Sequence, residues 1–125
     1  MTNYIGNMLA ALKNCQMATR NFILIPQTKS CEKILQILWN EGFILGYIKK
    51  DNKIKILLKY VNGKPVINFI TYVSKPSKRF FYSIKQIWKI NSNQHFIIFS
   101  TNKGLKTIID CKKLKLGGEP LILIN

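Results

Sequence analysis

A chain of 125 residues, 47% of them hydrophobic, can build one compact core or two small ones, but not several independent domains. Twenty Lys and Arg face five Asp and Glu, a formal charge of +15, and so large a single-sign field asks for a polyanion: nucleic acid first, an anionic membrane surface second. Five scattered acids (Glu32, Glu41, Asp51, Asp110, Glu119) and one histidine, His95, offer little for acid–base or nucleophilic catalysis, so no enzyme, no cofactor and no small-molecule substrate is expected.

Along the chain, Ile5, Met8, Leu9 and Leu12 recur at helical spacing, which predicts a helix over residues 3–16 with Thr2 or Asn3 as cap. Residues 22–25 read as a short strand before Pro26. Thr28 or Ser30 can cap a second helix with Ile34, Leu35, Leu38 and Trp39 as its buried stripe, ending at Glu41-Gly42. Residues 43–49 are β-like. Residues 53–60 alternate, with Ile54, Ile56, Leu58 and Tyr60 on one face and Lys53, Lys55 and Lys59 on the other, so a lysine-coated sheet face is expected. Asn62-Gly63 signals a tight hairpin turn, and residues 66–73 are expected to return as the partner strand. The polar, basic stretch Ser74-Lys75-Pro76-Ser77-Lys78-Arg79 then breaks the pattern. After it come a strand over 80–82, a short helical segment over 83–90, a loop over 91–94 and a buried strand over 96–99. Extended structure at 105–107, a short helix over 108–115, a turn at Gly117-Gly118 and an apolar strand over 121–124 complete the chain.

The fold class this predicts is α+β in two small lobes: an N-terminal α-β-α-β-β lobe over 1–73, a basic linker over 74–79, and a mostly β C-terminal lobe with a short helix over 80–125. No apolar run approaches the roughly 18 residues that a membrane helix needs. Cys15, Cys31 and Cys111 lie far apart without a CxxC pair, so neither a disulfide framework nor a zinc site is indicated, and a reducing compartment is the simplest setting. The basic residues are 18 Lys and 2 Arg, which favours phosphate contacts over reading of base edges. Ile, Lys and Asn, residues with A- and U-rich codons, make up 50 of the 125 positions, which points to an AT-rich genome such as that of an organelle or endosymbiont. The N-terminus MTNYIGNMLAAL has neither a signal peptide's basic start nor a transit peptide's arginines, so an organellar protein of this sequence is expected to be made in the organelle.

Three stretches carry the candidate chemistry. The apolar strand FIIF runs into Ser100-Thr101-Asn102-Lys103-Gly104: hydroxyls and an amide to bond phosphate, sugar or base edges, one cation, and a glycine that lets the backbone turn or approach a ligand. The same five residues also suit an ordinary polar turn. Lys75, Lys78 and Arg79 precede the aromatics Phe80, Phe81 and Tyr82, an interleaving that suits RNA with unpaired bases, although such aromatics equally fill cores. Glu119, after Gly117-Gly118, is an acid in a very basic chain that can accept from a base amino group or simply sit on a surface turn.

In this order and spacing the three stretches resemble those of the bacterial-type small-subunit ribosomal protein S8 family. VSKPSKRFF (73–81), FSTNKGL (99–105) and KLGGEPLIL (115–123) stand where that family has VSRPG-R-x-Y, STSKG-V and GLGGE with an apolar end. NYIGNMLAALKN, EGFI (41–44) and LKYVNGKPVI (58–67) are similar as well, so the likeness spans residues 3–124. It implies a structural protein with two lobes that binds a helix with an irregular internal loop in the central domain of small-subunit ribosomal RNA, early in assembly, beside other small-subunit proteins. The implied RNA contacts are Ser100, Thr101, Asn102, Lys103 and Gly104, with Gly118 and Glu119 close by, Lys75, Lys78, Arg79 and Phe81 flanking, and Thr28 and Lys29 touching the backbone from the first lobe.

This sequence departs from the family pattern at Asn102 (a serine there), Ser77 (a glycine), Phe81 (a tyrosine), Asn3 and Asn7 (aspartates), and at Thr107-Ile108, where the family's Thr-Asp opens a helix. Such drift suggests an organellar ribosome, mitochondrial ahead of plastid, with an AT-rich bacterium as the alternative. A free-standing RNA-binding regulator of translation would use the same surface.

Overall fold

The computed structural model describes residues 4–73, 81–92 and 94–124. The chain divides into two compact units, residues 1–68 and 69–125. It is α+β, with an α-β-α-β-β first part and a mostly β second part.

In the first unit, α1 (Tyr4–Met17) turns Met8, Leu9 and Leu12 inward. Its expected caps, Thr2 and Asn3, lie outside the described residues. β1 (Phe22–Pro26) buries the alternate residues Ile23 and Ile25. α2 (Lys29–Asn40) begins where the Thr28 hydroxyl accepts from the Cys31 N–H at 3.3 Å. It closes at Gly42, whose φ of +81° lets the Phe43 N–H reach back to the Leu38 carbonyl at 2.9 Å. Cys31, Ile34, Leu35 and Leu38 are buried. Trp39, expected on that stripe, is 49% exposed and stands edge-on to Tyr47 at 5.5 Å. The i, i+3, i+4, i+7 stripe is complete at Leu38, and one further residue turns about 100° away from it.

β2 (Ile44–Lys50) and β3 (Lys53–Leu58) are joined by Asp51-Asn52, both at positive φ (52° and 62°), the mirror-image turn that matches strand twist. β3 is central, antiparallel to β1 and β2. Ile54, Ile56 and Leu58 are buried on its inner face. The other face is mixed rather than purely basic: Lys55 lies between exposed Leu24 of β1 and exposed Ile48 of β2. Tyr60 is only half-buried and its hydroxyl donates to the Arg20 carbonyl. β4 (Tyr60–Val61) and β5 (Lys64–Pro65) pair around Asn62-Gly63.

The expected return of residues 66–73 beside β3 does not occur. The hairpin extends one residue past Pro65, where the Val66 N–H donates to the Lys59 carbonyl at 3.2 Å, and β6 (Ile70–Tyr72) then pairs with the last strand of the chain.

The second unit also contains α3 (Ile84–Trp88), β7 (Phe96–Thr101), β8 (Gly104–Thr107), α4 (Ile108–Leu114) and β9 (Glu119–Ile124). Its sheet is antiparallel in the order β6-β9-β7-β8. Of the strand expected over 80–82, Tyr82 forms a single bridge to Gly118, and Phe80 lies outside the described residues. Ser83 opens α3 with a reciprocal capping box to Gln86. Thr107 caps α4 by accepting from the Asp110 N–H at 3.2 Å, so the helix starts at Ile108 despite the missing family aspartate. Asp110 in the first turn and Lys112 and Lys113 in the last complement the helix dipole. Ile87, Phe99, Ile108 and Cys111 close into one buried cluster, flanked by Tyr82, Ile90 and Ile97.

Phe99→Ala removes the largest member of that cluster and is expected to cost about 3–5 kcal/mol of stability. Burial pushes the Cys111 thiol pKa up, with Asp110 adding to the rise, and so keeps it unreactive in the folded state. Alkylation of Cys111 in native buffer, followed by mass spectrometry, should therefore accelerate at least a hundredfold in the variant, each 1.4 kcal/mol being about tenfold. An acceleration below about tenfold would contradict this account of the core.

Candidate nucleic-acid interface

The interface candidate begins with a slip in the sheet. Along β7 and β9, Ile98 faces Ile122, but the next residue, Phe99, faces Pro120; Leu121 is the extra residue of a bulge. The slip carries Glu119 opposite Ser100 rather than Thr101. On the other side Ser100 faces Leu105 and Thr101 faces Gly104. Ser100 thus sits in a central strand, exposed, with both neighbouring strands fixing its position.

The tip between β7 and β8 is Asn102-Lys103, both exposed. Two bonds hold it. The Thr101 hydroxyl donates to the Gly104 carbonyl at 2.7 Å and accepts from the Lys103 N–H at 3.2 Å. Gly104 has φ +98°, a conformation a side chain would strain, and space around it is open. Ser100 is exposed, and its hydroxyl has no partner among the described residues.

Gly118 lies against this pair. A Cβ there would come within 2.8 Å of the Ser100 carbonyl oxygen and 2.9 Å of the Thr101 methyl. A Cβ on Gly117 would come within 2.8 Å of the Tyr82 carbonyl and 3.2 Å of the Phe81 ring. The two glycines therefore let three segments approach: the end of β7, the start of β9, and Phe81-Tyr82. Tyr82 and Gly118 exchange backbone hydrogen bonds at 2.8 and 2.9 Å. Phe81, 71% exposed, is a free ring face beside them.

So Ser100, Thr101, Asn102, Lys103, Gly104, Gly118, Glu119 and Phe81 share one corner of the second unit. Lys75, Lys78 and Arg79 lie outside the described residues. Thr28 and Lys29 belong to the first unit, where Thr28 is occupied as the helix cap and Lys29 is exposed. Two features escaped the sequence reading. Thr101 uses its hydroxyl to brace the tip, and the bulge chooses which residue faces Glu119; only the capping-like Thr-x-x-Gly spacing hinted at the first.

Electrostatics add the attraction. In the first unit Lys49 pairs with Glu32 at 2.8 Å, and that hydrogen bond raises the lysine pKa. Across the chain 20 cations share 5 carboxylates, so at least 15 cations have no carboxylate of their own. Among the described residues no group of three His, Cys, Asp or Glu could hold a metal ion, and no helix is long and apolar enough to cross a membrane.

The family model for ribosomal protein S8 matches residues 3–124. This chain belongs to the ribosomal protein S8 family. The S8 chain is 39% identical over 123 residues to small ribosomal subunit protein uS8 of Pelagibacter ubique, covering 95% of this chain and 94% of that one. It is 36% identical over 124 residues to small ribosomal subunit protein uS8m of Acanthamoeba castellanii, covering 97% and 98%. With uS8 of Persephonella marina it shares 38% over 134 residues. The family is a structural one of the small ribosomal subunit and of translation, not a family of enzymes.

The geometry separates two glycine substitutions. Gly104→Ala meets no atom and should cost about 1–2 kcal/mol through backbone strain alone. Gly118→Ala overpacks against backbone and should cost about 1–3 kcal/mol. It should also speed amide exchange at Tyr82 and at position 118, which Gly104→Ala leaves protected. Equal protection at both amides in the two variants would contradict the close approach described.

Proposed function

We propose that this protein is a structural constituent of the small ribosomal subunit that binds the central domain of small-subunit ribosomal RNA and supports its assembly, next to other small-subunit proteins. The observation that carries the reading is the braced corner: Ser100 clamped between Leu105 and Glu119, with the Asn102-Lys103 tip fixed by the Thr101 hydroxyl. A corner held by strand pairing offers donors and acceptors at set positions, which suits a folded RNA shape better than a mobile basic tail would. Lys103 supplies charge, Ser100 a hydroxyl, Glu119 an acceptor and Gly104 close backbone approach. The basic stretch with Lys75, Lys78 and Arg79, and the Phe81 ring, flank this contact; Thr28 and Lys29 add phosphate-side contacts from the first unit.

A mitochondrial ribosome is the proposed setting. The AT-rich residue usage and the drift from the family motifs support it, as does the Acanthamoeba relative named uS8m. The Pelagibacter protein is as similar, so the identity values alone do not choose between organelle and bacterium. Co-sedimentation with small subunits purified from the source organelle tests the setting.

The RNA reading is tested by binding to a transcript of the organism's own central-domain RNA and to an unrelated hairpin of equal length. Affinity should fall steeply with salt, as counterions are released. Lys103→Ala should weaken both RNAs alike and lower the salt slope by about one contact. Ser100→Ala and Thr101→Ala should each cost about 1–3 kcal/mol on the cognate RNA only, the first by losing a contact and the second by releasing the tip. Unchanged preference for the cognate RNA in both alanine variants would overturn the assignment.

A further inference from the structure

The helices of the second unit carry a feature that the family motifs do not include. α3 is short but firmly placed. Its capping box is complete, with Ser83 N–H donating to Gln86 Oε1 at 2.8 Å and Gln86 N–H donating to Ser83 Oγ at 3.3 Å. Ile87 is buried in the cluster with Phe99 and Cys111. Fixing Ile87 inward turns the next residue outward, and Trp88 is 56% exposed. An indole is the largest apolar surface a residue can offer, and one end of it tolerates water, so an exposed one on a rigid element is suited to a partner.

One cation is held beside it, and others are near in the chain. The Lys112 ammonium lies 5.8 Å from the centre of the Trp88 ring and donates to the Ile90 carbonyl at 2.6 Å, which fixes it beside the indole. Lys85 stands on the same short helix, Lys89 is its C-cap, and Lys113 follows Lys112 on α4. The one acid on the two helices, Asp110, is two residues from Lys112, a spacing that does not share a helix face.

Resting on the RNA reading above, we propose that Trp88 is a stacking platform for an unpaired nucleobase of the bound RNA, with Lys112 and Lys89 neutralising the phosphates that flank that base. The contact is made by helices and is independent of the Ser100–Gly104 tip. Lysine is depleted at the cores of protein–protein interfaces, whereas an aromatic face next to lysines is the usual arrangement for single-stranded nucleic acid. The indole stacks on any base, so this contact adds affinity for unpaired RNA without reading sequence.

The chain has two tryptophans, so Trp39→Phe leaves Trp88 as the only indole and keeps an aromatic ring against Tyr47. This full-length variant is titrated with the central-domain transcript, with a 12-nucleotide oligoadenylate, and with a 12-base-pair RNA duplex. Trp88 emission should be strongly quenched by the transcript and the oligoadenylate, and little by the duplex. Trp88→Ala should weaken oligoadenylate binding about tenfold. Trp88→Phe should recover most of that loss, and Lys112→Met should lose a few-fold with a shallower salt dependence. Normal transcript binding with an unquenched Trp88, or equal quenching by duplex and single strand, overturns this inference while the RNA reading stands. Failure to bind the transcript at all overturns both. A blue shift of Trp88 that needs other small-subunit proteins rather than RNA assigns the patch to a protein partner and overturns the proposal.

Discussion

One register shift governs the candidate interface. Strands β7 and β9 pair in step up to Ile98 and Ile122, then lose one residue, Leu121, from the ladder. Without that slip Glu119 would face Thr101, and the exposed hydroxyl of Ser100 would face Pro120. With it, half-buried Glu119 and exposed Ser100 stand opposite each other across the two strands. Bulges bend a strand and re-aim side chains where a sheet meets a partner. Gly117 and Gly118 complete the arrangement by removing the side chains that would hold the three segments apart.

Attraction and fit come from different residues. The large excess of lysines acts over a distance of roughly 8–10 Å at moderate salt and does not depend on fine geometry. In the proposed RNA contact the corner acts only at close range, through groups whose positions are set by backbone hydrogen bonds rather than by flexible side chains. Thr101 illustrates the division, since its hydroxyl is spent on the Gly104 carbonyl and the Lys103 N–H. That use fixes the tip before any partner arrives, which lowers the ordering cost of association.

Much of the fold was legible because local physics decided it. Thr28 caps α2 where a short polar side chain precedes apolar periodicity; the caps Ser83 and Thr107 came from the structure. Asn62-Gly63 turns where two positive φ values are needed. Ile54, Ile56 and Leu58 go inward by simple alternation. What the residues alone left open is long-range. Nothing in Ile70-Thr71-Tyr72 says that its partner is the last strand rather than the hairpin beside it. Nothing local marks Leu121 as a bulge, since Pro120 is the only irregular residue near it. Trp39 reads as part of its helix's apolar stripe; that it turns outward depends on where Leu38 finds its core. At the candidate interface, the residue types and their spacing were readable, and the family likeness gathered them. Their physical closeness, through Gly118 against Ser100, needed the structure.

The account depends on a preformed corner of the second unit meeting structured RNA. The most direct measurement is a density map of assembled small subunits containing this protein. The account predicts that the backbone and side chains of Ser100 to Gly104, with Gly118 and Glu119 beside them, lie within hydrogen-bonding distance of ribosomal RNA riboses, phosphates or unpaired base edges. A map in which that corner faces only solvent, or is folded into the protein's own interior, would contradict it.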